Sequence, residues 1–494
     1  MDLPLVLERT AGRSLNEQLT LQLRAAMRDG RLTAGERLPS SRAMAASLGV
    51  SRTVVMEAYS QLYAEGWLDG RHGSGTYVAQ IVTVESWRVP HPDPQSVRET
   101  PRVNGVDLRP GAPWVAGVDT AAWRRAWRRA AEVPPAARPD PLGLPGLRAE
   151  LGAYLRRSRG VVAAPDQIMV TRGATSGLDL LAATVLRPGD RVGDRAGDRV
   201  GDRVGVEEPG YARARSILRA RGAQVVPCPV DEHGLIVDAL PDDLTMVYTT
   251  PSHQYPLGGV LPMPRRQALV AWAARTGALI VEDDYDGEFR YDVAPLPALY
   301  GLDPDRVVYL GTTAKTLAPD VGVGWLVARP ELVEAISVRR LELSDRTPVV
   351  PQEAVRLLLA RGDLDRHVRR MRAEYARRRA VTVAALSGLP LWGDTAGLHL
   401  VVELAQEAEV RIAARAAERG VLLDSLTRHY AGEPTMHGLV IGYAGAGPAE
   451  IRTGCALVRE WAPARADGRP PGGPGPVARG SASSGSPPTA SPVR

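Results

Sequence analysis

Between residues 107 and 461, short apolar runs of strand type alternate with longer runs of helical period, and this alternation leaves few folds open. Parallel strands joined by helical crossovers bury both faces of one sheet, so the pattern predicts an α/β unit with a mostly parallel sheet between helices. In such a sheet, ligands sit beyond the C-terminal ends of the strands. Four predicted strands run into polar chemistry there. Residues 167–170 lead into Thr171-Arg172-Gly173-Ala174-Thr175, and residues 246–248 lead on to Pro251-Ser252-His253-Gln254-Tyr255-Pro256. Residues 278–281 run into Glu282-Asp283-Asp284-Tyr285-Asp286, and residues 307–310 into Gly311-Thr312-Thr313-Ala314-Lys315. One sheet edge thereby gathers a glycine turn, a carboxylate cluster, a tyrosine and a lysine.

That lysine stands out. Lys315 is the only one in the chain, and the other sixty of the 61 Lys and Arg residues are arginine. Arginine can replace lysine as a solvated charge, an ion-pair partner or a phosphate contact. It cannot replace an amine that must lose its proton and attack a carbonyl, because guanidinium stays protonated. Lys315 is therefore a candidate Schiff-base nucleophile. A lysine for the aldehyde, a carboxylate for a protonated ring nitrogen, a phenol for the 3′ oxygen and a glycine turn opening a helix for a phosphate are together what pyridoxal 5′-phosphate requires.

Ahead of this unit, residues 1–79 read as three short helices and a hairpin. Ser14 with Glu17 forms a capping box before a stripe of Leu15, Leu19, Leu23 and Met27, which Gly30 ends. Pro39-Ser40-Ser41 opens a second helix with Met44, Ala45 and Leu48 inward. Ser51 caps a third, with Val54 or Val55, Ala58 and Leu62 inward. Two apolar runs around the polar loop 69–75 suit a hairpin. The sum is a winged helix-turn-helix, with double-stranded DNA as the expected partner. Ser51, Arg52 and Thr53 sit at the presenting end of the recognition helix. Arg37, Ser40 and Arg42 precede it, and Arg71, His72 and Gly73 belong to the wing. Nine arginines against eight acids in this stretch leave bulk charge undecided.

Residues 80–106 are rich in Pro and charge and read as a linker, and 462–494 as a disordered Pro/Gly/Ser tail. Residues 189–204 repeat Gly-Asp-Arg-Val (once Ala) four times, which suits a lengthened surface loop rather than a ligand loop. The two cysteines, Cys228 and Cys455, match no disulfide framework and no metal spacing, so no metal is expected. No apolar run is long enough to span a bilayer, and the expected location is the cytoplasm.

The string Glu36-Arg37-Leu38-Pro39-Ser40-Ser41-Arg42, Leu48-Gly49-Val50-Ser51-Arg52-Thr53-Val54 and Gly73-Ser74-Gly75-Thr76-Tyr77-Val78 resembles the GntR family of bacterial regulators. The later segments, among them Val206-Glu207-Glu208-Pro209-Gly210-Tyr211, Thr249-Thr250-Pro251-Ser252-His253-Gln254 and Glu282-Asp283-Asp284-Tyr285-Asp286-Gly287, resemble fold-type I aminotransferase-like domains. Joined, they resemble the MocR subfamily. This resemblance implies a homodimeric regulator that responds to pyridoxal phosphate or a small amino compound. The alternatives are a working aminotransferase that regulates its own gene, and a DNA-binding scaffold whose cofactor site has decayed. By motif, Lys315 would hold the cofactor aldehyde, Asp283 the ring nitrogen and Tyr285 the 3′ oxygen. Tyr211 would stack on the ring, Gly173, Ala174 and Thr312 would meet the phosphate, and His253 belongs with them. Arg213 is placed for an effector carboxylate. Two positions depart from the family pattern. Ala314 stands where a serine precedes the lysine, and Gly322 where an arginine binds phosphate, a loss of about 1.5–3 kcal/mol. Asp320 nearby adds negative charge, and Arg172 is the candidate replacement.

Overall fold

The computed structural model describes residues 5–9, 12–71, 75–79, 105–118, 120–187 and 201–462. It divides into two compact units, Met1–Pro101 and Arg102–Arg494.

The first unit contains helices α1 (Leu15–Arg28), α2 (Ser41–Leu48) and α3 (Arg52–Ala64), with strands β1 (Arg37–Leu38), β2 (Leu68–Arg71) and β3 (Gly75–Val78). The caps are those the sequence announces. Ser14 N–H donates to Glu17 Oε2 at 3.2 Å, Ser40 Oγ accepts from Ala43 N–H at 3.2 Å, and Ser51 Oγ from Val54 N–H at 3.4 Å. Between α2 and α3 the chain turns at Gly49, whose φ of +64° a side chain would strain. Leu19, Leu23, Met44, Val55, Ala58 and Leu62 close the core. Beside the expected hairpin, β1 pairs with β3 as a third strand. Two residues carry no readable alternation, so β1 was not legible in advance.

The second unit is built from strands β4 (Val106–Asp107), β5 (Ile168–Thr171), β6 (Arg203–Glu208), β7 (Gln224–Asp231), β8 (Gly234–Leu235), β9 (Met246–Thr249), β10 (Leu279–Asp284), β11 (Val307–Thr312) and β12 (Gly324–Val327), followed by β13 (Leu391–Trp392), β14 (His399–Glu403), β15 (Val421–Leu422), β16 (Asp424–Ser425) and β17 (Gly438–Gly442). Its helices are α4 (Ala121–Ala130), α5 (Pro145–Arg159), α6 (Ala174–Val185), α7 (Ala212–Ala220), α8 (Met263–Thr276), α9 (Pro330–Glu342), α10 (Val349–Ala360), α11 (Asp363–Ala385), α12 (Gln406–Glu418) and α13 (Pro448–Trp461).

The large sheet runs β5-β12-β11-β10-β9-β6-β7-β8. It is parallel through its centre and antiparallel where β12 meets β11 and β5 and where β8 meets β7. Leu178, Leu218 and Ile336 from α6, α7 and α9 cover one face, and Leu151, Leu269 and Leu358 from α5, α8 and α10 cover the other. The expected α/β layering is present. The C-terminal part is different: β13-β14-β17-β16 form a separate antiparallel sheet packed against α11, α12 and α13. Read as one alternating stretch, the sequence did not reveal this second sheet, whose strands are only two to five residues long. Strand β4 already pairs with β15, so Val106 is part of this fold.

The last tetrapeptide copy feeds β6: Val204 is fully buried, and Asp202 accepts from Arg187 N–H at 2.8 Å. Residues 189–200 of the repeat, 80–104 of the linker and 463–494 of the tail lie outside the described residues. Among the described residues, no helix is long and apolar enough to cross a membrane.

Candidate functional site

Strand β11 is buried along its whole length and ends in a tight turn. Thr313 donates both its N–H (3.0 Å) and its hydroxyl (2.7 Å) to the Val323 carbonyl, and Ala314 N–H donates to Thr312 Oγ1 at 3.0 Å. The turn delivers Lys315, whose Nζ donates to the Gly111 carbonyl at 2.6 Å. Burial lowers the amine's proton affinity, opposed by Asp286 and Asp283 and assisted by Arg213. A larger neutral fraction is what an attacking amine needs.

The three consecutive acids at the end of β10 part company. Glu282 accepts from the N–H groups of Leu299 and Tyr300, at 2.8 and 2.9 Å. Asp284 is paired with Arg159 at 2.5 Å and accepts from Tyr309 Oη at 2.6 Å, and both members of the ion pair are wholly buried. Asp283 differs from both. Its Oδ2 accepts from Tyr248 Oη, while its Oδ1 is buried without a partner. Burial pushes its pKa up to about 7, against the pull of the Tyr248 hydrogen bond. Of the three, only Asp283 keeps a buried carboxylate oxygen without a partner.

Tyr285 follows directly. Its hydroxyl donates to the His253 carbonyl at 3.1 Å and lies 2.9 Å from His253 Nδ1, which is also 3.0 Å from Asp286 Oδ2. Tyr255 sits at the hub of the aromatic residues here. Its ring centroid is 5.2 Å from those of His399 and His429, 5.8 Å from Tyr211 and 5.9 Å from Tyr285. Tyr211 caps α7, and Arg213 is exposed in that helix's first turn. Burial, chiefly, keeps His399 neutral.

On the neighbouring strands, Gly173 (φ +132°) caps α6 and Ala174 begins it. Gly173 Cα would lie 2.6 Å from a Cβ placed on Gly324, so β12 and the glycine turn approach as closely as backbones can. The Thr312 hydroxyl is 3.8 Å from where a Gly173 Cβ would stand, and the Ser176 hydroxyl is buried without a partner. Gly173, Ala174 and Thr312 are therefore brought together. Arg172 is not free for them: it is exposed and ion-paired with Asp345. Asp320 is exposed, and Gly322 has a left-handed φ of +60°.

In the first unit, Ser40, Arg42, Ser51, Arg52 and Thr53 are all exposed at the starts of α2 and α3. Arg52 Nε donates to Ser41 Oγ at 3.3 Å, which ties the two helices together. The Arg37 side chain lies over Gly75, where a Cβ would meet its Nε at 2.7 Å. Arg71 ends β2; His72 and Gly73 lie outside the described residues.

Sequence reasoning missed Tyr248, Arg159, Ser176 and the Gly111 carbonyl. Tyr248 reads as an ordinary strand aromatic and Arg159 as a helix-terminal cation, and a backbone carbonyl has no sequence signal.

Residues 15–78 match the model of the gntR family of bacterial regulatory proteins, and residues 115–455 match that of class I and II aminotransferases. The chain is 38% identical to the HTH-type pyridoxine biosynthesis transcriptional regulator PdxR of Corynebacterium glutamicum, over 90% of this chain and 94% of that protein. It is 35% identical to the probable rhizopine catabolism regulatory protein MocR of Rhizobium meliloti, over 92% and 95%. The chain belongs to the MocR-type branch of the GntR family. Among solved structures, the regulator's second unit resembles the kynurenine aminotransferase of Pyrococcus horikoshii in complex with PMP. The TM-score is 0.65 at 26% identity, covering 74% of this chain and 91% of that one.

A MocR-type protein is a DNA-binding transcriptional regulator with an aminotransferase-like domain, and the cofactor of that domain is pyridoxal 5′-phosphate. The residues present fit it. An unpartnered buried carboxylate oxygen, an unpartnered buried hydroxyl at a helix start, and a half-buried amine with depressed proton affinity stand at one sheet edge.

Proposed function

We propose that this regulator senses pyridoxal 5′-phosphate, or its product with a small amino compound, in its second unit and converts that binding into altered DNA affinity in its first. Lys315 would hold the cofactor's aldehyde carbon, Asp283 its ring nitrogen and Tyr285 its 3′ oxygen. The N–H groups of Gly173 and Ala174, with the hydroxyl of Thr312, would face the phosphate. Tyr211 would lie against the ring, His253 would orient Tyr285, and Arg213 at the exposed mouth would take an effector carboxylate. When bound, the cofactor supplies an electron sink for a bond at an amine-bearing carbon. The unpartnered Oδ1 of Asp283 carries this reading, since a buried carboxylate oxygen without a donor is costly unless a ligand supplies one. The protein acts as a cytoplasmic homodimer on a two-half-site operator, so that two winged helices bind with a gain in effective concentration.

The test is a pair of measurements on the full-length protein and on Lys315→Arg. Added pyridoxal phosphate is expected to give the absorbance of a lysine-bound cofactor in the wild type only. Both proteins are expected to bind operator DNA equally before cofactor is added. An identical spectrum in Lys315→Arg would sink the assignment. The lowered proton affinity of Lys315 also favours a second reading, a working aminotransferase, which single-turnover amino transfer to a keto acid would reveal.

A further inference from the structure

Tyr248 and Asp283 lie on adjacent parallel strands, β9 and β10, with Tyr248 opposite Val281 in the register. Because side chains alternate along a strand, Tyr248, Val281 and Asp283 share one face, and the phenol reaches one pleat forward to the carboxylate. Tyr248 is 1% exposed and belongs to the apolar cluster of Val206, Met246, Val281 and Leu310. Burial above all, with Asp283 adding to it, holds its proton affinity well above that of an ordinary phenol. The hydroxyl therefore keeps its proton and donates a hydrogen bond to Asp283 Oδ2. The other carboxylate oxygen, Oδ1, has no partner.

We propose that Tyr248 is a positioning residue that occupies one oxygen of Asp283, fixes the carboxylate's orientation, and leaves the second oxygen for the N–H of the cofactor's protonated pyridine ring. This rests on the cofactor reading above. The groups that face Asp283 are Tyr248 from β9, Tyr211 from the start of α7, Lys315 from the turn after β11, and Asp284, Tyr285 and Asp286 from its own chain. Burial and the two aspartates favour the protonated carboxyl, whereas Tyr248 and Lys315 favour the ionised one. Without the phenol, the balance tips toward a neutral acid, which cannot pair with a ring cation.

The test compares pyridoxal phosphate with a carbocyclic analogue in which the ring nitrogen is replaced by C–H. Wild-type protein is expected to prefer the nitrogen-containing ligand. Tyr248→Phe is expected to lose about tenfold in affinity for pyridoxal phosphate, the scale of one hydrogen bond to a charged group, while binding the analogue within about twofold of wild type. The midpoint of the pH dependence of cofactor affinity is expected to move upward. In an Asp283→Asn background, Tyr248→Phe should no longer distinguish the ligands. Equal losses on both ligands, or none, would assign Tyr248 to packing alone and overturn the inference. So would a wild type that does not discriminate between the two, while leaving cofactor binding intact. A wild type that binds neither ligand would overturn the cofactor reading, and this inference with it.

Discussion

The amine of Lys315 is held by the carbonyl of Gly111, at 2.6 Å and 204 residues earlier in the chain. Gly111 adopts a left-handed φ of +102°, and a Cβ there would stand 3.2 Å from the lysine nitrogen. The segment entering the second unit thus passes close over the one residue whose chemistry no arginine can copy, and a side chain at Gly111 would be strained by its φ and would press on the lysine nitrogen.

Gly322 can be replaced, at a cost. The nearest atom to a Cβ there is the Asp320 carbonyl oxygen at 4.0 Å, so space is open, but the φ of +60° strains any side chain by about 1–2 kcal/mol. Gly322→Arg is expected to tighten pyridoxal phosphate binding by about tenfold and to lower the melting temperature of the cofactor-free protein. Titration and thermal unfolding of the same preparation check both. A fall in stability with no gain in affinity would place this loop away from the phosphate.

His367 ties the lysine turn to α11 and should give stability a pH-dependent component. Arg370 donates to its Nδ1 at 2.9 Å, so the ring proton sits on Nε2, 2.8 Å from the Thr316 carbonyl. A second proton would have to face a guanidinium in a buried site, and burial lowers the pKa to about 4 from an ordinary 6.5. Between those values the unfolded chain takes up a proton that the folded one refuses, so this contribution is lost as pH falls from 6.5 toward 4 and is constant outside that window. Relative to His367→Gln, the wild type is expected to lose on the order of 3 kcal/mol across it. Denaturant unfolding of the two proteins at several pH values measures the difference, and parallel curves would refute it.

Arg159 and Asp284 are both buried, so removing one leaves the other charged and unmatched. Arg159→Leu is expected to cost about 3–5 kcal/mol, and the double variant Arg159→Leu/Asp284→Leu distinctly less. Equal costs for the single and double variants would show that packing, not charge, dominates.

Arg52 opens the recognition helix and is exposed except for its bond to Ser41. Arg52→Ala is expected to cost about 1–3 kcal/mol on operator DNA and much less on a random duplex, as for a side chain that reads a base edge. A uniform loss, with the salt slope reduced by about one unit, would instead place it on a phosphate. No loss on either DNA would remove the helix from the interface.

What the sequence determined by itself is everything that depends on near neighbours. Ser14, Ser40 and Ser51 cap helices three residues on, Gly49 turns the chain, and the alternating runs settle a layered α/β unit, because these rules act within one or two turns of backbone. The sequence also singled out Lys315, by type and by its place after a strand, and a carboxylate cluster after another strand; Asp283 within that cluster was implied only by the family resemblance. How Glu282, Asp283 and Asp284 differ in their surroundings was decided only in three dimensions. The answer depends on what each acid meets: backbone N–H groups 17 and 18 residues on, Tyr248 35 residues back, or Arg159 125 residues back. Arg172 likewise looked free in sequence, and an aspartate 173 residues away claims it. Burial and hydrogen-bond partners are properties of the packed chain, and they set the protonation of Lys315, Asp283 and His367.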